Sequence, residues 1–255
     1  MTAPSVSEGL LFSIVMPAYN EEEVLAATVQ DLTVFLDRSG FRYELIIVDD
    51  ASADRTGEVA RAMAAAHPAI RPIYNNGPNG YGQAIRKGLE HYRGDAAVVV
   101  TSDGADAPKD VAAFFELITE GYDCAFGERF GKDSTVVGYP RLKRVVNRLA
   151  NWLLGLLTGS RYRDFTNGFK CYRREVIDEM QPLRSGQFNI TIEMSLKAVL
   201  AGRSIAVVPN DWHQRDAGQS SFKILRLIKP YAATMLYCLT RSYLIGQQGH
   251  RGAVP

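Results

Sequence analysis

Five short apolar runs, the first four each followed by a polar turn and an amphipathic helical pattern, constrain this chain more than any other feature. The runs fall at 12–17, 43–48, 70–74, 96–101 and 122–127. Between them, 21–38 sets Val24, Leu25, Val29, Leu32 and Leu36 on one helical face, and 54–66, 81–92 and 111–119 repeat the pattern. β–α units of this length close as right-handed crossovers, which predicts a mainly parallel sheet covered by helices. The run at 96–101 lacks polar alternation and predicts a strand buried on both faces. The expected class is therefore α/β.

Beyond residue 135 the pattern loosens. A helix is expected over 142–157, a strand over 166–173, a helix over 190–201, a strand over 204–208 and a last helix from about 222. The expected division is a first half over 10–135, a second half over 136–222 and an amphipathic helix over 223–246. Disordered ends are expected at 1–9 and 247–255. The stretch 231–245 carries Arg241 and falls short of the roughly 20 apolar residues that a membrane span needs. It fits equally a helix lying on lipid and a helix packed on the domain.

Composition excludes several classes. The 255 residues, 46% of them hydrophobic, can bury one full core. Cys124, Cys171 and Cys238 are odd in number and lack paired spacing, which fits a reducing compartment and argues against a disulfide frame or a zinc site. No basic segment followed by an apolar one opens the chain, so no signal peptide is expected. The net charge of +1 conceals a division: residues 1–140 hold 11 Lys and Arg against 21 Asp and Glu, and residues 141–255 hold 18 against 7. An acidic half suits a metal site, and a basic half suits a phosphate-bearing partner or an anionic membrane surface.

Chemistry concentrates at the ends of the expected strands. The fourth run leads into Ser102-Asp103-Gly104-Ala105-Asp106, two carboxylates at the edge where open α/β sheets keep their ligand crevice. Two acids so close repel unless a cation lies between them, so a divalent metal presenting a diphosphate is expected. The first run ends in Pro17-Ala18-Tyr19-Asn20-Glu21, where a ring and a carboxylate can frame a base. The second ends in Asp49-Asp50, whose carboxylates suit ring N–H groups or ribose hydroxyls, with Ser52 or Asp54 as helix caps. The glycines at 77, 80 and 82 follow the third run rather than the first, so they do not form a dinucleotide-binding fingerprint.

These segments together resemble glycosyltransferase family 2 with the GT-A fold. Further on, 126–130 (Phe-Gly-Glu-Arg-Phe) is similar to the family's Gly-Ser-Arg-aromatic segment. Residues 164–173, opening Asp-Phe-Thr-Asn-Gly-Phe-Lys, resemble a block of dolichyl-phosphate mannose synthases, and Arg215, Gly218 and Ser220 fit that branch's Arg-x-x-Gly-x-Ser segment. The likeness runs over about residues 10–225. It departs in two places: the family's Asp-x-Asp becomes Asp103 and Asp106 with Ala105 at the expected second acid, and Lys170 stands for an arginine, a point charge instead of a fork. Either Asp106 supplies the second ligand or Asp103 holds the metal alone.

The resemblance implies an inverting transfer from a nucleoside diphosphate sugar, foremost GDP-mannose, to a polyprenyl or dolichyl phosphate. The work would be done at the cytoplasmic face of a membrane, with a separate anchoring protein left open and no nucleic acid partner. Asp103 and Asp106 would hold Mg²⁺ or Mn²⁺. Pro17, Tyr19, Glu21, Asp49, Asp50 and Gly82 would bind the nucleotide sugar. Arg129, Lys170, Arg215 and Ser220 would hold the acceptor phosphate, with Arg129 also catalytic. An ionised lipid phosphate needs no strong base; a soluble or glycan hydroxyl acceptor would need one, for which Glu193 is the candidate. A non-catalytic nucleotide-binding module is the alternative of another class.

Overall fold

The computed structural model describes residues 9–213 and 224–251, with side chains past 211 described only over 229–242. Of the ends expected to be disordered, 1–8 and 252–255 lie outside it, whereas Gly9 is described and 247–251 are helical; Arg215, Gly218 and Ser220 also lie outside it. The elements in chain order are β1 (Leu11–Ala18), α1 (Leu25–Ser39), β2 (Arg42–Asp49), α2 (Thr56–Ala66), β3 (Ile70–Tyr74), α3 (Tyr81–Leu89), β4 (Ala96–Val99) and α4 (Pro108–Thr119). They continue as β5 (Cys124–Glu128), β6 (Val136–Val137), α5 (Arg141–Thr158), β7 (Lys170–Arg173), α6 (Arg174–Glu179), α7 (Ile190–Leu200), β8 (Ile205–Pro209), β9 (Trp212–His213) and α8 (Ile224–Arg251).

Seven strands form one sheet in the order β3-β2-β1-β4-β7-β5-β8, and β6 pairs with β9 beside it. Every pair is parallel except those of β7, which runs antiparallel between β4 and β5. The expected halves at 10–135 and 136–222 thus share a sheet. The strand expected over 166–173 begins only at Lys170, because 164–168 is a loop tied down by side chains.

Alternation along β1 sorts the core. Phe12, Ile14 and Met16 face a layer that includes Leu25, Leu32 and Phe115 of α1 and α4. Val15 faces the opposite layer with Ile85 of α3 and Met194 of α7. Phe12 stacks on Phe115 with centroids 4.1 Å apart, and Phe41 meets both rings edge-on. On the other side α3 lies so close that a Cβ on Gly88 would meet Val15 at 2.4 Å.

Register aligns the strand ends: Ala18 of β1 pairs with Asp49 of β2, which pairs with Tyr74 of β3. The loops after β1, β2, β3 and β4 therefore open at one edge. Chain order reverses between β1 and β4, the switch point where such sheets bind ligands.

α8 packs on the domain through its described residues. Thr234 and Cys238 are buried, and Arg241 donates to the Glu179, Met180 and Gln181 carbonyls. Of its two sequence readings, the packed helix is the one these side chains adopt. Among the described residues no helix is long and apolar enough to cross a membrane.

Candidate active site

The loop after β4 is wound around its own acids. Asp106 Oδ2 accepts from the Thr101 amide at 2.8 Å and the Thr101 hydroxyl at 2.9 Å, and Asp103 Oδ1 accepts from the Ala105 amide at 3.2 Å. Gly104 sits at φ +73°, a conformation that suits glycine. Both acids line one cavity of about 490 Å³. Burial pushes the Asp106 carboxyl up to about 6, against the hydrogen bonds from Thr101 and the charge of Arg129. A carboxyl held reluctantly ionised is one that a cation would restore.

Two carboxylates offer hard oxygen ligands of the kind Mg²⁺ and Mn²⁺ take, and both cations complete their shells with phosphate and water. Among the described residues no group of three or more His, Cys, Asp or Glu forms a ready-made metal site. The donor set thus fits a cation shared with a ligand's diphosphate better than one caged by protein alone.

Arg129, just past the end of β5, lines the same cavity, and its charge acts on Asp106. Its Nε and Nη2 donate to the two oxygens of Asp164 at 2.9 and 2.7 Å, and Nη2 also reaches Thr166 Oγ1 at 3.0 Å. Burial opposes ionisation of Asp164, but the Arg129 charge and hydrogen bonds hold its carboxyl below the usual range. The guanidinium is oriented by this fork while the residue still lines the cavity. Thr166 Oγ1 also accepts from Asn147 at 2.8 Å and Asn151 at 3.2 Å, which ties α5 to the same loop. One turn before Asn147, Lys143 lines the cavity as a second cation, its pKa lowered by burial and by Arg129. From there the wall becomes apolar, through Val146, Ala150, Leu153 and Leu154 of α5 and Met235 of α8.

Several sequence expectations are corrected by this geometry. Lys170 does not reach the cavity: it is 1% exposed and its ammonium donates to the Phe165 and Asn167 carbonyls and to Ser195 Oγ. It fastens the 164–168 loop from beneath. Glu193 is fully buried, accepting from Lys197 Nζ at 2.6 Å and from the Arg184 and Ser185 amides. These partners hold its carboxyl below the usual range despite burial, and it braces α7 rather than facing an acceptor. Gly82 is a packing glycine, because a Cβ there would lie 2.5 Å from the Ser185 carbonyl.

Asp50 also turns inward. Its two carboxylate oxygens accept from Asn75 Nδ2 at 2.6 Å and the Gly80 amide at 2.7 Å, organising the loop before α3. Asp49 Oδ1 receives the Ser52 amide at 3.0 Å. Pro17 is buried in β1, whereas Tyr19 is 50% exposed at the open strand edge and Glu21 starts the turn into α1. None of these lines the large cavity. Asn20 and Ala51 take positive φ at +54° and +57°, and Asn20 bonds across to Ser52 and Ala53. An alanine held in that region is costly, so the two loops are cross-braced in a fixed shape.

Asp164, Lys143 and Asn147 were not singled out as site residues by sequence. The readable signal was the polar stripe Lys143, Asn147, Asn151 at four-residue spacing, one face of a helix whose arginines, Arg141, Arg144 and Arg148, lie on a different face.

The family model for glycosyl transferase family 2 matches residues 13–181. This chain belongs to that family. It is 32% identical over 210 residues to dolichyl-phosphate hexose transferase of Haloferax volcanii, covering 82% of this chain and 85% of that one. It is 28% identical over 213 residues to polyprenol monophosphomannose synthase of Mycolicibacterium smegmatis, covering 81% and 79%. The chain spans only 35% and 65% of the lengths of two other Haloferax volcanii glycosyltransferases that it matches. Glucosyl-3-phosphoglycerate synthase of Mycobacterium tuberculosis, solved with Mn²⁺, UDP and phosphoglyceric acid, superposes with a TM-score of 0.69 over 90% of this chain and 78% of that one, at 20% identity. That likeness shows the fold, which is GT-A.

Proposed function

We propose that this chain transfers a sugar from a nucleoside diphosphate donor to a polyprenyl phosphate, as a metal-dependent enzyme working at the cytoplasmic face of a membrane. One observation carries the reading. A single cavity is lined by the two carboxylates, by the cations Arg129 and Lys143, with the Arg129 charge acting on both Lys143 and Asp106, and by apolar side chains of α5 and α8. Those three kinds of surface suit a diphosphate with its metal, an anionic head group and a hydrocarbon tail. The names of the two relatives, one dolichyl-phosphate and one polyprenol, support the same acceptor class.

Asp103 and Asp106 would hold Mg²⁺ or Mn²⁺, which when bound neutralises charge developing on the departing diphosphate. Arg129, fixed by Asp164, and Lys143 hold the acceptor phosphate and orient its oxygen toward the anomeric carbon. That oxygen is already ionised near neutral pH, so no protein base is required. The apolar walls exclude water that would otherwise hydrolyse the donor. A hydroxyl acceptor finds less support, since the carboxylate expected to serve it, Glu193, is buried against Lys197. GDP-mannose is the proposed donor, and Tyr19 and Glu21 at the open strand edge are its proposed base contacts.

Calorimetry tests the donor side. Mn²⁺ with GDP should bind the native protein, and Asp103→Ala should abolish the Mn²⁺-dependent part. Equal Mn²⁺ and GDP affinity in both proteins would contradict the metal assignment.

A further inference from the structure

Among the described residues, exposed large apolar side chains are most concentrated on α5, which carries eight of them. Leu142, Val145, Leu149, Trp152 and Leu156 are between 55% and 70% exposed and follow one another at intervals of three, four, three and four residues. They form one stripe along a helix about 27 Å long. Arg141, Arg144 and Arg148 flank that stripe on one side, all exposed, and α5 contains no acidic residue. The opposite face carries Lys143, Asn147, Ala150 and Leu154, which line the cavity. Between the two faces, Val146 and Leu153 are both exposed and cavity-lining, so the apolar surface runs from the outer stripe into the trough without a polar break.

We propose that this outer face of α5 is a docking surface for an anionic lipid bilayer, lying flat in the head-group layer with Trp152 and Leu149 among the upper acyl chains. The proposal rests on the lipid-phosphate reading of the cavity, and adds how the chain meets the membrane that holds its substrate. Charge selects lipid over a second copy of the chain. The three–four spacing would also suit a helix pair, but a parallel pair would set Arg141 and Arg148 against Val146 and Leu153, and an antiparallel pair would set them against each other. Neither supplies an acid, whereas phosphate head groups supply many. The stripe is also broader than a two-helix seam, since Val146 and Leu153 widen it. A helix so placed would let a prenyl chain pass from the bilayer into the trough between α5 and α8 while its phosphate stays beside Arg129.

Sedimentation with vesicles tests this directly. The native protein should bind vesicles of phosphatidylcholine and phosphatidylglycerol in equal parts, bind pure phosphatidylcholine weakly, and release as salt rises. The Leu149→Gln/Trp152→Gln/Leu156→Gln variant should lose about tenfold or more of that affinity at unchanged melting temperature. Its transfer to a short, water-soluble prenyl phosphate should be retained, because none of the three residues lines the cavity. Brominated acyl chains should quench the native emission, and Trp152→Phe should remove that quenching while Trp212 remains. Native-like vesicle binding by the triple variant would overturn the proposal. So would a native dimer in lipid-free buffer that the triple variant converts to monomer. Vesicle binding by the native protein but not by the variant, with no sugar transfer by either, would count against the enzymatic reading and leave the docking surface standing.

Discussion

At the residue scale the account turns on two acids whose environments differ. Asp106 carries a proton more readily than a free aspartic acid because burial raises its carboxyl to about 6. A raised carboxyl costs stability once pH exceeds the unfolded value of 3.8, and the cost is complete above about 6. Asp106→Asn should therefore unfold at higher temperature than the native protein at pH 7.5, by an amount on the order of 1–2 kcal/mol after allowing for solvent. The gain should vanish near pH 3.5, and equal melting curves at pH 7.5 would contradict it. The same titration predicts that Mn²⁺ uptake by the native protein weakens as pH falls through 6, because the protonated acid no longer binds a cation. Asp164→Asn should behave oppositely to Asp106→Asn. It strands the buried Arg129 guanidinium and should cost about 3 kcal/mol in a denaturant titration. The two acids after β4 were legible in sequence as cavity residues because two carboxylates following an apolar run are hard to explain otherwise. Lys170 and Glu193 were misplaced because a charge type does not reveal whether the side chain points at ligand or at its own backbone.

Among the elements, the β–α succession through α4 was legible in order and type, with ends displaced by up to four residues, since each strand and helix there has its own apolar period. β7 was legible only at its C-terminal end, because its four residues follow a loop ordered by Tyr162 and Asn167 reaching the Gly127 carbonyl far along the chain and by Lys170 holding the Phe165 carbonyl close by. Its antiparallel placement between β4 and β5 is likewise a tertiary outcome. α3 depends on two glycines for close approach. Gly82→Ala would drive a Cβ against the backbone of 185–187 and should cost about 1–3 kcal/mol, read as a lower denaturation midpoint. α5 is held to the site by Asn147 and Asn151 on Thr166. Asn147→Ala should raise KM for lipid phosphate several-fold and leave donor affinity unchanged, a split that a general loss of fold would not give.

For the whole molecule, the charge division seen in the sequence becomes a division of labour. The acidic half supplies the carboxylates after β4, and the basic half supplies Lys143 and the arginines of α5. What sequence could not show is that both halves share a sheet and meet at one cavity, since β7 and β8 return to flank β5. The central claim is that a sugar leaving the diphosphate held by Asp103 and Asp106 meets a lipid phosphate held by Arg129 and Lys143. Purified protein given Mn²⁺, radiolabelled GDP-mannose and either a polyprenyl phosphate or the corresponding unphosphorylated polyprenol, then extracted into organic solvent, measures this directly. The account predicts label in the organic phase with the phosphate alone, lost in Asp103→Ala and strongly reduced in Lys143→Gln. Equal label with the alcohol, or transfer undiminished in Asp103→Ala, would contradict it.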